Sequence, residues 1–175
     1  MRFLIPLLLL TAVAAAQAAP VWTLGAGFET RLQKEVNPDF VENKTQPRLF
    51  AHVRFAPIGV GVEVGQESSS SRQGALRVET QTRTLGLWGR YEYLTDSRWV
   101  PFAGLGVGSH FDRVRSSFGG TTDRRNGDRP FLGAGAGAGV LLFGHLWLET
   151  EARLASVQDR EDPLLSFLFK IGGQF

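Results

Sequence analysis

Acidic and basic side chains recur in this chain at every second position of short segments. Glu29 and Arg31, His52 and Arg54, Glu63, Arg90 and Glu92, the run Glu149, Glu151 and Arg153, and Lys170 follow that spacing. Residues two apart in an extended chain point the same way. These groups would therefore share one face and neutralise each other. Nucleophilic chemistry has fewer carriers. The histidines are His52, His110 and His145. A histidine activates a hydroxyl when a Ser and an acid stand beside it. Only His110 has both following closely, in Asp112, Ser116 and Ser117, and a polar wall residue is the plainer reading. There is no cysteine, which removes disulfides, thiolate metal sites and cysteine nucleophiles. No metal-ligand cluster, phosphate loop or nucleotide motif stands out, so no cofactor or metal is expected. The run 133–139 alternates Gly with Ala on one strand and lacks the strand-turn-helix setting of a dinucleotide fingerprint. A second cationic group, Arg113, Arg115, Arg124, Arg125 and Arg129, shares one stretch with Asp112, Asp123 and Asp128. Guanidinium forks suit phosphate oxygens. The stretch reads either as a phosphate grip or as a solvated loop.

The elements that must position these groups are strands. Helical three-four spacing is scarce, and period-2 alternation recurs. Eight strands are expected, over 21–32, 48–56, 58–66, 84–93, 99–111, 131–143, 145–154 and 164–175. In each, one face is aliphatic or aromatic: Trp22, Leu24, Ala26 and Phe28 in the first, Ile58, Val60, Val62 and Val64 in the third, Phe167, Phe169 and Ile171 in the eighth. The other face carries the charges above and rows of Gly, among 21 glycines in all. Upstream of the fourth strand the parity changes, which predicts a β-bulge near Arg83. Long connections are expected at 33–47, 67–76, 112–130 and 155–163. Short ones are expected around Pro57, at 94–98 and around Gly144.

The start of the chain reads as a targeting segment. Arg2 precedes an apolar run over 3–13, and Ala16-Gln17-Ala18 is a small-x-small cleavage site. Residues 1–18 are thus expected to be a cleaved signal peptide and 19–175 one domain. The formal net charge of +2 gives no reason to expect nucleic-acid binding.

Which face meets what decides the class. A soluble barrel is polar outside and apolar inside. Here the unbroken band is aliphatic and the other face is Gly-lined and charged, which suits an antiparallel up-and-down barrel with lipid outside. The even strand count, strands of nine to thirteen residues and alternating long and short connections fit that all-β, transmembrane eight-stranded barrel. Trp22, Phe55, Tyr91, Tyr93, Trp99 and Phe175 fall at strand ends on the outward parity, as an interfacial girdle would.

The pattern resembles the small outer-membrane barrels of the OmpA transmembrane-domain, OmpX and OmpW type, over the whole chain after residue 18. Its sharpest element is the run Phe167, Phe169, Ile171 and Phe175, which looks like the C-terminal signal read by the barrel-insertion machinery; Gly173 departs from it. The resemblance implies an outer-membrane location, lipids as partners, long loops on the cell surface and short periplasmic turns. An eight-stranded barrel is just wide enough for side chains to fill. Glu29, Arg54, Glu63, Arg90, Glu92, Glu149, Glu151, Arg153 and Lys170 are therefore expected to form a charge network that closes the lumen. The leading function is structural or surface-interacting. The alternatives are a narrow solute channel along the Gly rows and a lipid A-modifying enzyme built on His110, with no catalytic residue assigned. Arg113, Arg115, Arg124, Arg125 and Arg129 are candidate contacts for glycolipid phosphates. Ala103, Ala134, Ala136 and Ala138 form a flat outward strip, suited to self-association or to plain lipid contact.

Overall fold

In the computed structural model the described residues are 19–32, 45–119, 121–159 and 161–175. The expected signal peptide and most of the first long connection lie outside them. The strands are β1 (Val21–Leu32), β2 (Thr45–Phe55), β3 (Ile58–Gln73), β4 (Leu76–Glu92), β5 (Trp99–Phe118), β6 (Thr121–Leu142), β7 (Leu146–Val157) and β8 (Leu164–Gln174). Each pairs antiparallel with the next, and β8 pairs with β1, so the sheet closes into a barrel with no internal edge. The seam is completed where Trp22 and Phe175 exchange backbone hydrogen bonds of 3.0 and 2.8 Å.

The inward and outward parities are those of the sequence pattern. Leu24, Phe28, Leu49, Val60, Val62, Leu85, Leu87, Leu105, Val107, Leu132, Leu154, Phe167, Phe169 and Ile171 are all exposed on the outside. Burying one such side chain is worth roughly 1.5–3 kcal/mol relative to water. A belt of them around the whole barrel therefore requires an apolar solvent. The end where β1 begins carries Trp22, Tyr91, Tyr93, Trp99 and Phe175 outward, and Tyr91 and Tyr93 meet edge to face at 5.2 Å.

Turns at that lower end are short. Phe143 and Gly144 join β6 to β7 with φ of 51° and 78°, and His145 N–H donates to the Leu142 carbonyl at 3.2 Å. Two consecutive positive φ values give the hairpin turn whose twist matches the flanking strands.

Two expectations about the upper end are corrected. Segments 67–76 and 112–130 are not long loops. β3 runs on to Gln73 and β4 starts at Leu76; β5 reaches Phe118 and β6 begins at Thr121. Ser, Arg and Asp dominate there because both faces of the sheet meet water, so polarity hid strands that the cross-strand ladder continues unbroken. Nor is there a bulge at Arg83, which pairs in register with Gln66 on one side and Phe111 on the other. Val78 and Thr80 keep the inward parity, and the alternation faded only because no apolar band exists at that height. Strands β3 to β6, of 16 to 22 residues, thus project beyond the 11- and 12-residue strands around them.

Candidate functional site

The lumen is filled by rings and ion pairs. Five inward aromatics, Phe50, Trp88, Phe102, Phe131 and Trp147, need room in a barrel this narrow, and the glycine rows supply it. A Cβ on Gly106 would run into the Trp88 ring, one on Gly139 into the Trp147 ring, and one on Gly137 would meet the Phe102 ring at 2.8 Å. Trp88 and Gly106 are direct cross-strand partners, as are Phe102 and Gly137. The room is therefore made for rings on neighbouring strands, not for side chains of the opposite wall.

Charges stack in three tiers between the rings. At the bottom Arg90 donates to Glu149 at 2.5 Å and to Glu92 at 2.8 Å, and Arg54 reaches Glu92 at 3.2 Å. Trp147 Nε1 donates to Glu149 at 2.9 Å. In the middle Arg153 forks onto both oxygens of Glu63 at 2.6 and 2.7 Å and also binds Glu151 at 2.7 Å. Lys170 Nζ completes that tier with Glu63 at 2.7 Å and with Glu149 and Glu151 at 2.9 Å each. The Arg153 guanidinium lies 3.7 Å over the Trp88 ring. At the top Glu29 pairs with Arg48 and, at 3.4 Å, with Arg31, which donates to Gln46 at 2.8 Å.

Eight of the nine residues expected in the charge network are linked by shared ion pairs, and Glu29 stands apart in the top tier with Arg48 and Arg31. Arg31, Arg48 and Gln46 belong to that tier as well. Arg31 and Arg48 fall on the inward parity, which was the signal for them; Gln46 lies before the strand start that the sequence suggested. Two small cavities lie among these groups, of about 30 and 20 Å³, one against Phe50, Trp88 and Lys170, the other against Glu29, His110 and Phe131. A water needs ~10–15 Å³ of such space, so each has room for a water or two.

The histidines do not build a triad. His110 Nδ1 is hydrogen-bonded to Thr84 at 2.8 Å and its ring stacks on Phe131. Asp112 is bound to Thr82 at 2.6 Å and to Arg129 at 2.6 Å, and Ser117 to Thr122. Neither Asp112 nor Ser117 bonds His110. His52 is buried and takes a hydrogen bond from Arg90 at 3.2 Å, and its Nε2 has no partner. His145 lies exposed in the lower turn. No group of three or more metal-ligating side chains exists among the described residues.

The five arginines of the projecting sheet split by parity. Arg113, Arg115 and Arg124 are on the outward face; Arg125 and Arg129 are on the inward face, paired with Asp123 at 3.2 Å and Asp112 at 2.6 Å. The five arginines therefore do not share one face: three point out and two point in. Burial acts to raise the Asp112 carboxyl, but the hydrogen bonds from Arg129 and Thr82 outweigh it and hold the group below its ordinary 3.8. At the seam, Phe167, Phe169, Ile171 and Phe175 are exposed outward, and the Phe175 ring folds over Gly173, where a Cβ would meet it at 3.2 Å. Ala103 and Ala136 are direct partners on β5 and β6 of the outer wall, continued by Ala152 on β7, with Ala134 and Ala138 on either side.

An eight-stranded closed barrel with an apolar belt outside and a salt-bridged interior is the architecture of the small outer-membrane β-barrel proteins. Solved structures share the fold. The chain superposes on a major outer membrane protein from Thermus thermophilus with a TM-score of 0.68 at 14% identity, over 90% of this chain and 100% of that one. Ail, the attachment invasion locus protein of Yersinia pestis, gives 0.61 at 13% identity, over 89% and 97%. Neisserial surface protein A gives 0.58 at 15% identity, over 90% and 96%. No protein-family model and no curated protein matches the sequence.

Proposed function

We propose that this chain is an outer-membrane barrel with a structural and surface-interacting role, its lumen shut to solutes and its projecting β3–β6 sheet held above the membrane. The observation that carries this reading is the inverted partition of side chains. Leu105, Leu132 and Leu49 stand 66, 61 and 60% exposed outside, while Glu92, Glu149 and Lys170 are 0, 2 and 4% exposed inside. Water outside such a wall would be unfavourable at every strand; hydrocarbon satisfies it. The names of two fold neighbours, an attachment invasion locus protein and a surface protein, agree with a surface role.

The residual cavities and the three tiers of ion pairs speak against the channel. The test of the membrane reading is refolding of residues 19–175 into detergent and lipid nanodiscs. The expected result is a heat-modifiable gel band and uptake into discs. A protein that stays soluble in plain buffer and ignores lipid would contradict it.

A further inference from the structure

The outer face of the projecting sheet holds a groove of about 690 Å³. Its lining is cationic and polar: Ser68 and Ser70 of β3, Gln81 of β4, Arg113 and Arg115 of β5, and Arg124 of β6. Two ladder rows cross it. One reads Ser68, Gln81, Arg113, Asn126; the next reads Ser70, Glu79, Arg115, Arg124. Arg115 and Arg124 are thus direct cross-strand partners. Like charges placed opposite each other destabilise a strand pair, and the acid beside them, Glu79 opposite Arg115, makes its ion pair elsewhere. Among the described residues Arg113, Arg115 and Arg124 have no ion-pair partner, and the acid of the groove, Glu79, is taken by Arg77 at 2.8 Å. The other two arginines of the hairpin, by contrast, each have an aspartate.

Height sets the upper part of this groove above the bilayer. At roughly 3.3 Å rise per residue and a tilt near 40°, Arg113 stands about 5 Å above the outward Phe111 of β5, and Arg115 with its partner Arg124 about 10 Å above it. Each headgroup layer is only about 6 Å thick. Arg83 and its cross-strand partner Phe111 lie at the lipid boundary; Arg113 is at headgroup level, and Arg115 and Arg124 are above it. Uncompensated guanidinium forks flanked by Ser, Gln and Asn match a sugar that carries several anionic groups, with the forks on the anions and the amides and hydroxyls on the ring oxygens.

We infer that the outward groove of β3–β6, through Arg113, Arg115 and Arg124, binds a saccharide bearing multiple sulfate or phosphate groups. This rests on the membrane reading above, which sets the height of the groove. The ligand's source is either a soluble polysaccharide or the sugar region of an outer-leaflet glycolipid that rises past the headgroups.

The experiment uses the chain in nanodiscs, with uptake into discs scored first. A chain that does not enter discs contradicts the membrane reading; a chain that enters and then fails to bind overturns only the groove. Dextran sulfate oligomers, neutral dextran, and discs with or without phosphorylated lipopolysaccharide are the probes. Wild type is expected to bind dextran sulfate and not dextran, with affinity falling as salt rises. The triple change Arg113→Ser, Arg115→Ser, Arg124→Ser should weaken binding by about tenfold or more. Arg125→Ser with Arg129→Ser, on the inward face, should change it little. Binding confined to lipopolysaccharide discs and lost in the triple variant assigns the membrane-bound source. No binding to either anion, or equal losses in the two variants, overturns the site.

Discussion

Arg153 of β7 grips Glu63 of β3 across the lumen, its two terminal nitrogens on the two carboxylate oxygens at 2.6 and 2.7 Å, although the residues are 90 positions apart. Both are buried. Removing Glu63 leaves Arg153 with only Glu151 and Lys170 with only Glu149 and Glu151, one buried positive charge in excess, and breaking a buried pair in this way costs about 3–5 kcal/mol. Glu63→Gln is therefore expected to lower the urea midpoint of the folded chain in discs strongly. Glu63→Leu with Arg153→Met should recover much of it, because no isolated charge is created. Equal midpoints for wild type and Glu63→Gln would show that the clamp contributes nothing.

The glycine rows predict their own hierarchy. Gly106 and Gly139 lie under the Trp88 and Trp147 rings, while a Cβ on the outward Gly89 meets nothing within 4 Å. Gly106→Val and Gly139→Val should prevent folding or cost at least the ~1–3 kcal/mol of an overpacked interior. Gly89→Ala should fold as wild type. The heat-modifiable fraction on a gel reads all three, and a well-folded Gly139→Val would mean the lumen is looser than described.

The tryptophans report which side faces lipid. Trp22 and Trp99 are about half exposed outward, at 50 and 58%, while Trp147 is 2% exposed inside the barrel. In single-tryptophan variants brominated lipid should quench Trp22 and Trp99 and leave Trp147 bright. Quenching of Trp147 alone would turn the barrel inside out.

Much of this was legible in the residues. Strict alternation from Leu85 to Tyr93 and from Leu146 to Leu154 fixes inside and outside, and the nine charges expected in the lumen follow from parity alone. The projecting sheet was not legible, because alternation records contrast between two solvents, and above the lipid both faces of 67–76 and 112–130 meet water. Parity there still matters, since it divides Arg113, Arg115 and Arg124 from Arg125 and Arg129, but only the ladder shows that these residues are on strands at all. Gln46 was missed because it falls in the expected connection 33–47. The structure places Pro47 outward and Gln46 fully buried, where it accepts from Arg31.

Asp112 offers a titration with a defined sign. The hydrogen bonds from Arg129 and Thr82 outweigh the opposing effect of burial and hold its carboxyl below 3.8. A depressed carboxylate contributes stability above its unfolded value and loses it as pH falls through the folded one. The upper hairpin should therefore stay paired at Asp112 down to below pH 3.8. Carbon-detected NMR should find the midpoint of Asp112 lower in wild type than in Arg129→Gln. The same midpoint in both would remove Arg129 as the cause.

The most direct test of a closed lumen is current. The refolded chain, shown by its heat-modifiable band to be a barrel, is placed in a planar bilayer under voltage. The three charge tiers and the water-sized cavities predict a silent membrane at protein levels that saturate insertion. Steady, discrete openings would contradict the closed lumen and make the glycine-lined wall of β5 and β6 a conduction path.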